Sequence, residues 1–144
     1  MNSIRRYDIN EIFYSLQGEG FHTGTPAVFV RFAGCNLRCP FCDTQFDARM
    51  QMTAEEIVAR VWSLYPQNRP SHDISDSSGA ESQIRPIVIL TGGEPSLQVD
   101  NTLIQALHNA GLRIHIETNG THELPDGIDW ITCSPKNATV ILAR

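Results

Sequence analysis

Pro26-Ala-Val-Phe-Val-Arg-Phe-Ala-Gly-Cys-Asn-Leu-Arg-Cys-Pro-Phe-Cys42 decides how the rest of this chain is read. Its first eight residues, rich in β-branched and aromatic side chains, have the composition of a buried strand. Gly34 ends that strand, so three cysteines, Cys35, Cys39 and Cys42, fall in a loop at its C-terminal end. Three thiolates spaced by three and then two residues can wrap one inorganic centre from a single loop. The fourth cysteine, Cys133, is far away in the sequence.

Working outward, the same order of strand, loop and helix recurs. Residues 8–20 begin as a short strand-like apolar patch and end in a polar loop punctuated by Gly18 and Gly20. Thr53-Ala-Glu-Glu56 reads as a capping box, and Ile57, Val58, Val61, Leu64 and Tyr65 follow at helical spacing, predicting a helix over 54–65 that Pro66 stops. Residues 66–85, dominated by Pro, Ser, Asp, Asn and Gly, read as a mobile crossover loop within one domain spanning 1–144. Pro86 to Thr91 predicts a second clear strand running into Gly92-Gly93-Glu94-Pro95. Leu103, Ile104, Leu107 and Ala110 form a helical stripe with Gly111 just past its end. Leu112, Ile114 and Ile116 alternate with Arg113, His115 and Glu117 as in a strand, and 128–133 is a further one. Parallel βα units with right-handed crossovers follow, four clear strands and a fifth, with the functional loops gathered at the strands' C-terminal ends.

Composition narrows the classes of function. A chain of 144 residues with 41% apolar and 19% charged residues buries a core as one soluble domain. A net charge of −5 gives no electrostatic reason for a nucleic-acid partner. The apolar runs are too short to cross a bilayer and the N-terminus lacks a signal-peptide core, so the expected location is the cytoplasm. In that reducing compartment a cysteine cluster points to metal or redox chemistry.

The residues alone leave two centres open. A zinc site needs a fourth ligand, which Cys133 or a histidine would supply. A 4Fe-4S cluster takes one thiolate per iron, and three cysteines leave one iron free for an outside ligand. The spacing favours the cluster. Blander roles exist for most other residues: Cys133 as a buried small side chain, Arg31 paired with Glu19, Thr44 as a loop hydroxyl, and His22, His72, His108 and His122 with no role.

The cysteine loop after one strand and Gly92-Gly93-Glu94-Pro95 after the next resemble the cluster loop and cofactor-holding element of the radical S-adenosylmethionine superfamily. Within it, Phe13-Tyr-Ser-Leu-Gln-Gly-Glu-Gly20, Gly24 to Arg31, Cys42-Asp-Thr44, Glu117-Thr-Asn-Gly-Thr121 and Ser134-Pro-Lys136 are similar to the 7-carboxy-7-deazaguanine synthase family. The resemblance implies a partial, open TIM-like barrel, cut short at the C-terminus because the family continues with further βα units. It implies conversion of 6-carboxy-5,6,7,8-tetrahydropterin to 7-carboxy-7-deazaguanine with loss of ammonia, in queuosine and related deazapurine synthesis. The cofactors would be a 4Fe-4S cluster on Cys35, Cys39 and Cys42, S-adenosylmethionine and Mg²⁺. Carried over by position, Phe41, Cys42, Asp43, Gly93, Ser134, Pro135 and Lys136 would contact S-adenosylmethionine. Leu16, Gln17, Gly18, Arg31 and Thr91 would grip the substrate, and Thr44 would ligate Mg²⁺. The resemblance also implies a homodimer and a one-electron donor. Two other readings share features: a glycyl-radical enzyme activase, which has the same cysteine loop, and a zinc-stabilised binding module closed by Cys133.

Overall fold

The computed structural model describes residues 3–34, 50–66 and 85–136. Its elements in chain order are β1 (Tyr7–Leu16), β2 (Pro26–Phe32), β3 (Met50–Met52), α1 (Ala54–Leu64), β4 (Ile87–Gly92), a short 3-10 helix (Pro95–Leu97), α2 (Asn101–Asn109), β5 (Arg113–Thr118) and β6 (Trp130–Cys133). The strands form one sheet in the order β3-β1-β2-β4-β5-β6. The expected parallel succession runs through β2, β4, β5 and β6. The expected crossover loop over 66–85 and the whole cysteine loop lie outside the described residues, apart from their bordering positions.

The N-terminal edge departs from a simple parallel repeat. β1 pairs antiparallel with both β2 and β3. A parallel neighbour requires a crossover of about a dozen residues or more, and the link between β1 and β2 is shorter. β1 also runs ten residues, longer than its apolar patch suggests. β3 is three residues of Met-Gln-Met, too short for alternation to reveal.

Helix ends follow their local chemistry. Thr53 caps α1 through its side chain, accepting from the Glu56 N–H at 3.2 Å, and the Glu56 carboxylate accepts from the Thr53 N–H at 2.8 Å. Asp100 caps α2 by accepting from the Leu103 N–H at 3.0 Å, and also takes the Tyr7 hydroxyl at 2.6 Å. Gly111, at φ 80°, closes α2: its N–H reaches the His108 carbonyl at 2.9 Å and the Leu112 N–H reaches Leu107 at 3.1 Å. That pair of bonds is the Schellman arrangement that favours glycine at this position.

Both helices cover one face of the sheet. Ile57 and Val61 from α1, and Leu103 and Leu107 from α2, pack on Val28, Val30, Val88, Leu90, Ile114 and Ile116. Among the described residues, the opposite face carries a smaller apolar cluster, Ala27, Phe29, Ile87 and Ile89 with Phe13. This interior face curls. Gly20 stands close enough to Thr132 of β6 that a Cβ on it would lie 3.5 Å from the Thr132 hydroxyl. In a flat sheet β6 would lie four strand spacings from β1, roughly 19 Å, whereas the four residues from Leu16 to Gly20 span at most about 14 Å. Curvature makes the contact possible, as in an open section of a barrel. No described helix is long and apolar enough to cross a membrane.

Candidate active site

Side chains alternate between sheet faces, so register alone assembles a polar row on the interior face. Glu11 pairs with Arg31, Arg31 with Thr91, and Glu117 with Thr132. Since Leu90 pairs with Ile116, the next step along the strands sets Thr91 beside Glu117. One row therefore carries Glu11, Arg31, Thr91, Glu117 and Thr132 near the C-terminal ends of the parallel strands. The layer beneath it is Phe13, Phe29, Ile89, His115 and Trp130. Phe13 and Phe29 stack there with ring centroids 5.2 Å apart.

Arg31 is the cation of the row. Its Nε lies 3.3 Å from Glu11 Oε1, and the guanidinium carbon sits 5.6 Å from the Phe13 ring centre. That Nε is buried and makes no aligned hydrogen bond. The expected pairing of Arg31 with Glu19 is thus replaced by Glu11, its cross-strand neighbour. Glu19 is carried elsewhere by its loop.

The loop after β1 folds back across the interior face. It is pinched at its root, where the Gln17 N–H donates to the Thr25 carbonyl at 2.8 Å and the Gly24 N–H to the Gln17 carbonyl at 2.7 Å. Gln17 is buried, and its side-chain oxygen accepts from the Glu19 N–H at 3.2 Å. Glu117 meets this loop. Burial pushes the Glu117 carboxyl up to about 7, and a hydrogen bond from Glu19 adds to the rise. The Thr91 hydroxyl opposes it, the Glu19 charge adds again, and Gln17 opposes. The Glu117 carboxyl is thus held protonated up toward neutrality where the loop bearing Glu19 meets it.

The tip of β4 is tied to the root of the cysteine loop. Gly92 has φ 122°, and a Cβ there would lie 2.4 Å from both the N and O of Phe32, so only glycine fits this approach. Beyond it, the Gly93 N–H donates to the Phe32 carbonyl at 3.0 Å and the Glu94 N–H to the Gly34 carbonyl at 2.8 Å. Glu94 is 1% exposed, and its carboxylate joins strand tips. It accepts from the Asn119 N–H at 2.7 Å, the Thr118 hydroxyl at 2.7 Å, the Ser96 N–H at 3.0 Å and the Ser96 hydroxyl. The Ser134 N–H continues the seam to the Thr118 carbonyl at 2.8 Å, and Lys136 Nζ donates to Ser134 Oγ at 3.0 Å.

Of the residues singled out from the sequence, Gln17, Arg31 and Thr91 converge on the interior face. Gly93 and Ser134 to Lys136 mark two neighbouring regions of the same strand-tip edge. Leu16 and Gly18 flank the buried Gln17, both exposed. Cys35, Cys39, Cys42, Phe41, Asp43 and Thr44 lie outside the described residues. Cys133 is half-buried, and burial followed by the Glu94 charge raises its thiol, which works against the thiolate a zinc module would need. Glu19 and Glu117 were missed as a pair. The available signal was the polar phase of 113–117: parallel strands are normally covered on both faces, so His115 and Glu117 had to point at something other than water.

Residues 29–138 match the family model described as the radical SAM superfamily. The chain belongs to the radical SAM superfamily. Membership in this superfamily brings a 4Fe-4S cluster and S-adenosylmethionine, and the residues present fit them. In sequence, three cysteines follow Gly34, whose carbonyl accepts from the Glu94 N–H, and three thiolates with one open iron suit such a cluster. A relative from Bacteroides thetaiotaomicron, 7-carboxy-7-deazaguanine synthase, is 59% identical over 128 residues, covering 89% of this chain and 60% of that protein. The protein of the same name from Bradyrhizobium diazoefficiens is 42% identical over 152 residues, covering 96% of this chain and 67% of its own. The crystal structure of QueE from Escherichia coli superposes with a TM-score of 0.69 at 30% identity, covering 92% of this chain and 61% of the other. The chain thus spans about three fifths to two thirds of the length of these relatives.

Proposed function

We propose that the protein containing this chain converts 6-carboxy-5,6,7,8-tetrahydropterin to 7-carboxy-7-deazaguanine with loss of ammonia. The observation that carries this reading is the interior row with a guanidinium at Arg31, a hydroxyl at Thr91 and a carboxyl at Glu117. Arg31 and Glu117 stand two strands apart, roughly 10 Å along the sheet. That separation suits a bicyclic heterocycle bearing a carboxylate at one end and an amino-pyrimidinone at the other. A guanidinium receives the carboxylate in a planar fork. Glu117 then accepts N–H donors at the far end, and the buried Gln17 closes over the ring from the loop.

The other assignments complete this reading. Leu16 and Gly18 frame Gln17, Cys35, Cys39 and Cys42 hold the cluster, and Gly93 receives the methionine end of the cofactor. Phe41, Cys42 and Asp43 would contact its adenine and ribose side, and Ser134, Pro135 and Lys136 would contact it from the far strand. When bound, the cluster supplies the electron that breaks the cofactor's sulfonium bond, and with it the power to abstract hydrogen. Thr44 would offer Mg²⁺ a hard oxygen, and the ion would supply Lewis acidity and substrate orientation there. A one-electron donor, a homodimer and a cytoplasmic location belong to the same proposal.

The test is turnover by protein from the full reading frame, reconstituted anaerobically with iron and sulfide. Wild type is expected to yield 7-carboxy-7-deazaguanine, identified by mass. Arg31→Lys should raise KM for the pterin while retaining cofactor cleavage. Cleavage of S-adenosylmethionine without ring contraction by loaded wild type would overturn the substrate assignment.

A further inference from the structure

The loop over residues 17–25 reaches well beyond the strands it connects. Gln17 and Glu19 lie against Glu117, and Gly20 approaches Thr132. Two residues on, His22 is wedged among aromatic rings. Its ring centre lies 4.7 Å from that of His115 on β5 and 4.6 Å, edge-on, from that of Trp130 on β6. Phe21 adds a tilted contact to Trp130 at 5.4 Å and an edge contact to His22 at 5.1 Å. These rings sit one layer below the polar row, directly beneath Glu117 and Thr132.

The way His22 is held is informative. Its Nε2 and that of His115 are both buried, and neither has a hydrogen-bond partner. At His22 the hold therefore comes from ring packing, alongside the hydrogen bonds that Gln17 and Glu19 make to Glu117. His115 is 2% exposed, and burial, then His22 and Arg113, push it down to about 4, with Asp129 opposing. His115 accordingly stays neutral near neutrality and presents an uncharged surface to His22. Aromatic pairs of this kind contribute about 0.5–1.5 kcal/mol each beyond area burial. Behind His22 the loop closes through Thr25 N–H to the His22 carbonyl at 3.1 Å and Thr23 to the Gly20 carbonyl through both its N–H and its hydroxyl, at 3.3 and 2.6 Å. Motion at His22 is thus transmitted to Gln17 through a short, internally bonded loop.

We propose that His22 is a positioning residue: docked against His115 and Trp130, it anchors the loop across the interior face and so holds Gln17 and Glu19 against Glu117. The proposal rests on the substrate site described above and adds the contact that fixes its loop wall. His22 touches neither the reacting atoms nor the cofactor in this account. Between its ends the loop is held by this ring packing and by the Glu117 hydrogen bonds, so without the anchor Gln17 and Glu19 hold their geometry less firmly.

The experiment uses the cluster-loaded full protein, with hydrogen exchange of residues 17–25 and pterin turnover as separate readouts. His22→Ala should speed exchange at the Gln17 and Gly24 N–H groups and raise KM about tenfold, with kcat within about twofold. His22→Phe keeps a ring and should restore both. If the alanine variant folds poorly, Phe21→Ala, at an 81% exposed residue, should show the same changes in smaller size. Unchanged loop exchange in His22→Ala, or loss of kcat that His22→Phe fails to restore, would overturn the positioning role. Altered exchange in a protein whose wild type never turns over the pterin supports the anchor while removing the proposed substrate.

Discussion

Glu94→Gln is the most informative single substitution in the strand-tip seam. The two carboxylate oxygens have divided work: Oε1 takes the Asn119 N–H, while Oε2 takes the Ser96 N–H and hydroxyl and the Thr118 hydroxyl. The serine and threonine hydroxyls can turn to accept, but the two backbone N–H groups cannot. An amide has one oxygen, so either Asn119 or Ser96 must face an NH2 group in a site that is 1% exposed. One buried backbone donor left unmet costs about 1–3 kcal/mol, and loss of charge weakens the remaining bonds. The expected destabilisation is about 3 kcal/mol, read from the urea midpoint of anaerobic protein at equal cluster loading. Exchange at 118–120 should rise with it, because Glu94 is what ties that turn to β4. A change below about 0.5 kcal/mol would refute the reasoning, since this is the range of ordinary surface substitutions.

Gly92→Ala places a methyl 2.4 Å from the Phe32 backbone at φ 122°, and is expected to cost more than about 3 kcal/mol or abolish soluble expression. Gly18→Ala, with nothing within 4 Å, should stay within about 0.5 kcal/mol in the same assay. His115 gives stability a pH slope: its folded value of about 4 lies below the ordinary 6.5, so the unfolded chain takes up the proton first. Stability is therefore complete above pH 6.5 and declines as pH falls toward 4, by about 2 kcal/mol after allowance for screening, and His115→Phe should lose that slope. Glu117 has the opposite sign: its folded value of about 7 lies above the ordinary 4.5, so its burial becomes a penalty as pH rises through that interval. Glu117→Gln should remove the penalty in a pH series of melts, and should also abolish the fall in KM expected between pH 6 and 8 as Glu117 ionises.

Much of the architecture was legible because it repeats a simple pattern. Thr53, Gly111 and the strand ending at Gly34 each carry a local reason for their conformation, and the parallel order follows from their sequence. The edge was less legible. β3 is too short for periodicity, and the antiparallel pairing of β1 depends on the brevity of its link rather than on any residue in it. Within the site, Arg31 and Thr91 were recognisable by position in motifs, while their common row required register. Glu117 illustrates the limit best: its neighbours in sequence say strand, and only the curl of the sheet brings Glu19 onto it. His22 likewise has no local signal, since its partners His115 and Trp130 lie 93 and 108 residues further along the chain.

The central claim is that Arg31 reads the substrate's carboxylate from one end of the interior row. Its most direct test is to titrate cluster- and cofactor-loaded full protein with 6-carboxy-5,6,7,8-tetrahydropterin and with tetrahydropterin lacking that carboxylate. Wild type should bind the carboxylated ligand at least about tenfold more tightly, as expected for a charge-assisted pair. Arg31→Leu should erase that preference while leaving the uncarboxylated ligand almost unchanged. Equal discrimination by wild type and Arg31→Leu would contradict the account.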